Sequence, residues 1–300
     1  MGSILLFNRK MYNFGSSQKV LLLIMLKNQF YSITLIFAVI IFLTACQPNP
    51  YRQTNKSYKK QAKAYGKVIS QKSLQDTAGY IIPVKWVGTT NFNMRKPNLV
   101  VIHHTAQNSC DQTLKTFTLS RTSVSAHYVI CENGTVHHML NDYLRAWHGG
   151  VGKWGNITDV NSMSIGIEID NDGFEKFTER QMISLELLLT QLKKAYNIPQ
   201  ANFIGHADIA PTRKNDPNVN FDWKRIAEKG FGNWYSDTTN LQTPIDFKPL
   251  MALKMIGYDI KDSTAAIITF KRKFLQNEDR KSLTNSDEKV LYATWMEAMK

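Results

Sequence analysis

His103 ends an apolar run, Asn98-Leu-Val-Val-Ile-His103, and His104 follows it directly. His206 ends a second run, Asn202-Phe-Ile-Gly-His206, and Asp216 follows in the Pro-containing loop that runs from Ala207 to Pro217. Two imidazoles at strand ends and a loop carboxylate are a donor set suited to an open zinc site. Such a site keeps one position free for water, so the metal can serve hydrolysis. Residue types alone do not choose between His103 and His104. Adjacent strand residues face opposite ways, so only one of the two should reach the metal.

The elements that must carry these residues are legible from period and punctuation. Leu99 to Ile102 is a continuous apolar run, as in a strand buried on both faces. Ser109-x-x-Gln112 forms a capping-box pattern that opens a short helix to about Arg121. His127 to Cys131 and Thr135 to Leu140 flank Glu132-Asn133-Gly134, a hairpin signal. Met163 to Asp170 alternates, with Ile165, Ile167 and Ile169 on one face and Gly166, Glu168 and Asp170 on the other. Thr178-Glu-Arg-Gln181 caps a helix that carries Met182, Ile183, Leu185, Leu188, Leu189 and Leu192 and stops near Tyr196, before Asn197 and Pro199. A strand over 202–205 follows. The fold class is α/β, a mixed central β-sheet flanked by helices.

Four segments in register carry a family resemblance. Ile102-His103-His104-Thr105-Ala106, Ala146-Trp147-His148-Gly149-Gly150, Ser164-Ile-Gly-Ile-Glu168 and the block from His206 to Pro217 resemble the N-acetylmuramoyl-L-alanine amidases of the AmpD/AmiD type, relatives of the peptidoglycan recognition proteins. The resemblance covers roughly Ile81 to Tyr235. It implies zinc as cofactor, with His103, His206 and Asp216 as ligands, and so favours His103 over His104. It implies Glu168 as general acid/base and Lys214 as the donor that stabilises the oxyanion. It also implies a cleft lined by His127, Tyr128, Trp147 and His148. Trp147 suits a sugar face but would equally fit a core, and Arg213 would meet a peptide carboxylate or lie on the surface. The activity implied is hydrolysis of the amide between N-acetylmuramic acid and L-alanine in peptidoglycan or muropeptides. The rival readings are a wall-binding protein that does not cut and a zinc peptidase acting on the stem peptide.

Composition bounds the rest. The formal charge is +13, and between Gln47 and Asn98 the only acid is Asp76. No nucleic-acid motif accompanies this basic tract, so no nucleic-acid partner is expected. It reads as a segment attracted to an anionic polymer or membrane surface, or as a solvated tether. The N-terminus reads as an address: Met25-Leu-Lys27 is a basic head, Tyr31 to Leu43 an apolar run shorter than a membrane span, and Leu43-Thr44-Ala45-Cys46 resembles a lipobox. Cys46 would then be lipidated, and Gln47 after it would direct the protein to the periplasmic face of the outer membrane. Cys110 and Cys131 would be exported, where they either pair or remain separate thiols. The expected organisation is a signal peptide over 1–46, a basic linker over 47–79, the amidase domain over 80–238 and a small domain over 239–300. That last region shows three helical stretches and resembles the peptidoglycan-binding modules that accompany such amidases. It departs from them at Thr269-Phe270-Lys271, where they carry Ala-Phe-Gln, which leaves a structural cap as the alternative.

Overall fold

The structure, a computed structural model, describes residues 25, 27–29, 49–70, 94, 96–279 and 281–300. The expected signal segment with Cys46, and the start of order near Tyr80, lie outside the described residues. The chain divides into two compact units, residues 1–87 and 88–300.

In the first unit the expected linker contains a helix, α1 (Arg52–Ser70). Its Lys, Gln, Arg and Ala residues are good helix formers, and no proline interrupts it. Its period is carried by Tyr51, Thr54, Tyr58 and Ala62, which are half-buried at helical spacing. Aliphatic residues do not mark that face, so a search for an apolar stripe passes over it.

The second unit is built on a five-stranded sheet with the order β3-β2-β4-β1-β5. Its strands are β1 (Leu99–His104), β2 (Tyr128–Ile130), β3 (Val136–His138), β4 (Ser164–Ile169) and β5 (Phe203–Gly205). β1 runs parallel to both β4 and β5, β2 runs parallel to β4, and β3 closes the edge as the antiparallel arm of the expected hairpin. The helices of this unit are α2 (Cys110–Thr118), α3 (Val160–Met163), α4 (Glu179–Tyr196), α5 (His206–Ile209), α6 (Trp223–Glu228), α7 (Pro249–Ile256), α8 (Ser263–Phe274) and α9 (Asn285–Ala298). The α4 capping box is formed, with Thr178 and Gln181 satisfying each other's backbone N–H groups.

Alternation sorts the sheet into two faces. Val100, Ile102, Ile165, Ile167 and Ile169 pack against Leu185, Leu188, Leu189 and Leu192 of α4. Leu99, Val101 and Ile204 face the other way, towards Val160 and Ile209. Burying such aliphatic side chains contributes about 1.5–3 kcal/mol each, which fixes strand register against a one-residue slip. Cys110 and Cys131 are joined by a disulfide that ties α2 to the end of β2.

Helices α7 to α9 enclose their own core of Leu253, Tyr258, Phe270, Phe274 and Leu291. They are also tied to the sheet region. Lys273 of α8 pairs with Asp208 of α5 at 2.7 Å, Tyr258 donates to the same carboxylate at 2.8 Å, and the Lys273 ammonium lies 4.2 Å from the Trp223 ring. Lys271, in the segment that departs from the family pattern, is buried with its ammonium 3.4 Å from Asp287.

Candidate active site

The site lies at the C-terminal ends of three parallel strands, where open α/β sheets place their ligands. His103 is the fifth residue of β1, Glu168 the fifth of β4, and His206 directly follows β5. Parallel pairing puts His103 beside Glu168, on the face shared with Leu99 and Val101. His104 points to the opposite face, where its Nδ1 accepts the Asn218 N–H at 3.1 Å. The loop after His206 is drawn back by a backbone bond from Ala207 N–H to Asp216 O at 2.8 Å, which brings the Asp216 carboxylate to the ring. Gly205 permits this return, since a Cβ there would lie 2.9 Å from Pro217 and 3.0 Å from Trp223.

His103 Nδ1, His206 Nδ1 and Asp216 Oδ2 converge, with separations of 2.9 Å between the rings, 3.0 Å from His103 to Asp216 and 2.9 Å from His206 to Asp216. All three residues are buried. Burial, helped by the neighbouring His206, lowers the His103 pKa to about 4, so its ring is neutral at pH 7. Burial alone would raise the Asp216 carboxyl, but the two imidazoles hold it well below the usual carboxylate range. The other ring nitrogens are already engaged, His103 Nε2 with His148 Nδ1 at 3.0 Å and His206 Nε2 with Gly149 O at 3.1 Å. A carbonyl only accepts, so His206 carries its proton on Nε2 when neutral and turns a lone pair towards Asp216. Buried acceptors that meet without enough protons to share fit a cation at their centre. These three residues could hold a metal ion.

Glu168 Oε1 lies 4.0 Å from His103 Nδ1. Burial pushes its carboxyl well above the usual range, the charge of Asp216 adds to this, and Lys214 opposes it. A carboxyl raised in this way is suited to general acid/base work. Lys214 is half-buried and close enough to act on His103, His104 and Glu168 through its charge. Among the described residues its ammonium makes no hydrogen bond or ion pair, so its donors are available to a substrate.

The residues expected to line the cleft are placed differently. His127 is fully buried, its Nδ1 accepting the Gly166 N–H and its Nε2 facing Leu144 O at 2.9 Å, so it braces the sheet. Tyr128 lies on the α4 face, with its hydroxyl on Asp142 at 3.0 Å and its ring stacked on His138. His148 is buried behind His103, and Arg213 donates through Nη2 to the carbonyls of Gly149 and Val151. For His127, Tyr128 and His148 the hydrogen-bonding capacity that a substrate would use is taken by the protein, whereas Arg213 keeps Nε and Nη1 clear of hydrogen bonds among the described residues. Trp147 is 53% exposed and carries no side-chain bond among the described residues, and Arg213 is exposed as well. Sequence reasoning passed over Ser164 and Asn161, which bond His148 and the turn that bears it. Only a small polar residue at the start of an isoleucine-rich strand hinted at Ser164.

A poised carboxyl, a nearby ammonium and three converging acceptors at the ends of parallel strands define a hydrolase-type centre. Comparison with known proteins narrows the class. Residues 93–219 match the family model described as N-acetylmuramoyl-L-alanine amidase. The amidase AmiD of Escherichia coli is 34% identical over 188 residues, covering 54% of this chain and 67% of that protein. The 1,6-anhydro-N-acetylmuramyl-L-alanine amidase AmpD of Haemophilus influenzae is 40% identical over 103 residues, 34% of this chain and 56% of that protein. The solved complex of E. coli AmiD with anhydro-N-acetylmuramic acid-L-Ala-D-gamma-Glu-L-Lys superposes with a TM-score of 0.60 at 27% identity, covering 73% of this chain and 95% of that one. AmpDh3 of Pseudomonas aeruginosa in complex with an anhydromuramic pentapeptide gives 0.59 at 27% identity, over 72% and 97%. The chain belongs to the N-acetylmuramoyl-L-alanine amidase family. Both coverages of the AmiD and AmpDh3 structures extend beyond the stretch that matches the family model.

Proposed function

We propose that this protein hydrolyses the amide between N-acetylmuramic acid and L-alanine in peptidoglycan fragments, with zinc held by His103, His206 and Asp216. The observation that carries the reading is the convergence of three buried acceptors within 3.0 Å of one another beside Glu168. Zinc at such a centre supplies a water acidified to a pKa of about 7 and polarises the carbonyl. Glu168 takes the proton of the attacking water and returns it to the leaving L-alanine nitrogen, a cycle that its raised pKa suits. Lys214 donates to the oxygen that becomes negative in the tetrahedral intermediate. Trp147 offers an exposed aromatic face to the sugar. The AmiD and AmpDh3 complexes with anhydro-muramyl peptides support this substrate class.

The purified chain, incubated with muropeptides and analysed by mass, should release free stem peptide beginning at L-alanine, and exhaustive chelation should stop release. Cleavage within the stem would instead mark a peptidase, and intact muropeptide recovered from a stable complex would mark a binding protein. We further propose, from the sequence around Cys46 alone, that the mature chain is lipid-anchored at the periplasmic face of the outer membrane. Intact mass of the mature protein tests this: an acylated Cys46 supports the anchor, and an unmodified N-terminus elsewhere removes it.

A further inference from the structure

We propose that the turn Trp147–Gly150 sets the ring tautomers of both His103 and His206, so that each presents a bare Nδ1 to the site. The inference rests on the metal reading above for its purpose but not for its geometry. Ser164 Oγ has one proton, which it donates to Val160 O at 2.6 Å. It must therefore accept from His148 Nε2, 3.0 Å away. That leaves His148 Nδ1 as a lone pair, which accepts from His103 Nε2–H at 3.0 Å. His103 Nδ1 is then bare. The same turn supplies Gly149 O to His206 Nε2–H at 3.1 Å, which leaves the second Nδ1 bare as well.

The competing state is real chemistry. The Asp216 carboxylate lies 3.0 Å from His103 Nδ1 and would welcome a proton there. Moving the proton would set two lone pairs against each other between His103 and His148. Relieving that clash would flip His148 too, and would break the bond from Ser164 to Val160. Three coupled donors thus hold one proton away from the site. A ligand imidazole oriented through its second nitrogen is a general device of metal centres. Here one turn of the chain does it for two ligands.

The turn is itself pinned. Asn161 Oδ1 accepts from the backbone N–H of His148 at 3.2 Å and of Gly149 at 2.8 Å, and Arg213 donates to Gly149 O at 3.0 Å. The His148 ring lies flat against β4 at Gly166, where a Cβ would come within 2.4 Å of it. His148, Ser164 and Asn161 are positioning residues, since none touches the reacting atoms.

The test reads tautomers and zinc binding separately, on the full chain. In the metal-free protein at pH 7.5, 15N shifts of the imidazoles should show unprotonated Nδ1 at both His103 and His206. His148→Leu and the gentler Ser164→Ala should move the His103 proton towards Nδ1 and weaken zinc binding about 10–100-fold. His148→Asn keeps an acceptor where Nδ1 stood and should recover most of that affinity, which a loss of packing alone would not predict. Protonated Nδ1 at His103 in the wild type, or unchanged tautomer and zinc affinity in Ser164→Ala, overturns the proposal. A wild type that shows both bare Nδ1 atoms yet binds no zinc overturns the metal reading and leaves the turn's role standing.

Discussion

Lys273→Met should destabilise residues 88–300 far more than a surface lysine would. The Lys273 and Asp208 side chains are 7% and 2% exposed, and their charged atoms lie 2.7 Å apart. Asp208 also accepts from Tyr258 and from the Gly205 N–H at 2.8 Å. Methionine keeps the stem packed on Trp223 and removes only the charge. Asp208 then retains two neutral donors and no cation. Stripping the partner from a buried charge costs about 3–5 kcal/mol. For a unit of this size that is about 6–20 °C in Tm. Urea unfolding followed by circular dichroism measures it, and Lys273→Met/Asp208→Asn should recover most of the loss because no charge remains buried. Asp208 sits two residues past His206, so the same variant should also loosen the loop that carries Asp216. A loss below about 1 kcal/mol, or a double variant no better than the single one, would refute the reasoning and detach α7–α9 from any supporting role.

Other expectations follow from the same geometry. Glu168→Gln should retain zinc and fold but lose about 10²–10⁴ in kcat, since no group then carries the proton; an unchanged rate would remove Glu168 from the chemistry. Lys214→Met should lose about 10²–10³ in kcat with little change in metal content, as for loss of one oxyanion donor. Burial lowers the His127 pKa, so its contribution to stability is present above pH 6.5 and fades as pH falls through the folded value. Protonation would turn the Nδ1 acceptor of the Gly166 N–H into a donor, so stability should drop as pH falls below 6.5, less steeply in His127→Gln. Cys110→Ser/Cys131→Ser opens a loop with a sequence separation of 21 residues and should cost about 3 kcal/mol in urea unfolding under oxidising conditions.

Much of the scaffold was legible because local physics wrote it. The Ile165-Ile167-Ile169 alternation, the Thr178 box and the Asn133-Gly134 turn each state a period or a cap within a few residues. Strand-terminal histidines were visible for the same reason, as polar residues at the end of apolar runs. The helix α1 was hidden because its half-buried face is made of Tyr, Thr and Ala. The pairing of His103 with Glu168 depends on β1 lying beside β4, across a long crossover that no local pattern encodes. His148 was expected in the cleft from the family resemblance, and Arg213 was expected to meet a peptide carboxylate or lie on the surface, yet their partners, Ser164 and the Gly149 carbonyl, are fixed only by tertiary contact. The Lys273–Asp208 pair is separated by 65 residues and leaves no trace in either segment.

Anomalous diffraction at the zinc edge, on crystals of the full chain, tests the central claim most directly. The predicted result is one peak bound by Nδ1 of His103, Nδ1 of His206 and the Asp216 carboxylate, with an oxygen in the remaining position beside Glu168. No peak at that point after zinc loading, or a metal held through the Nε2 atoms or by other residues, would contradict the account.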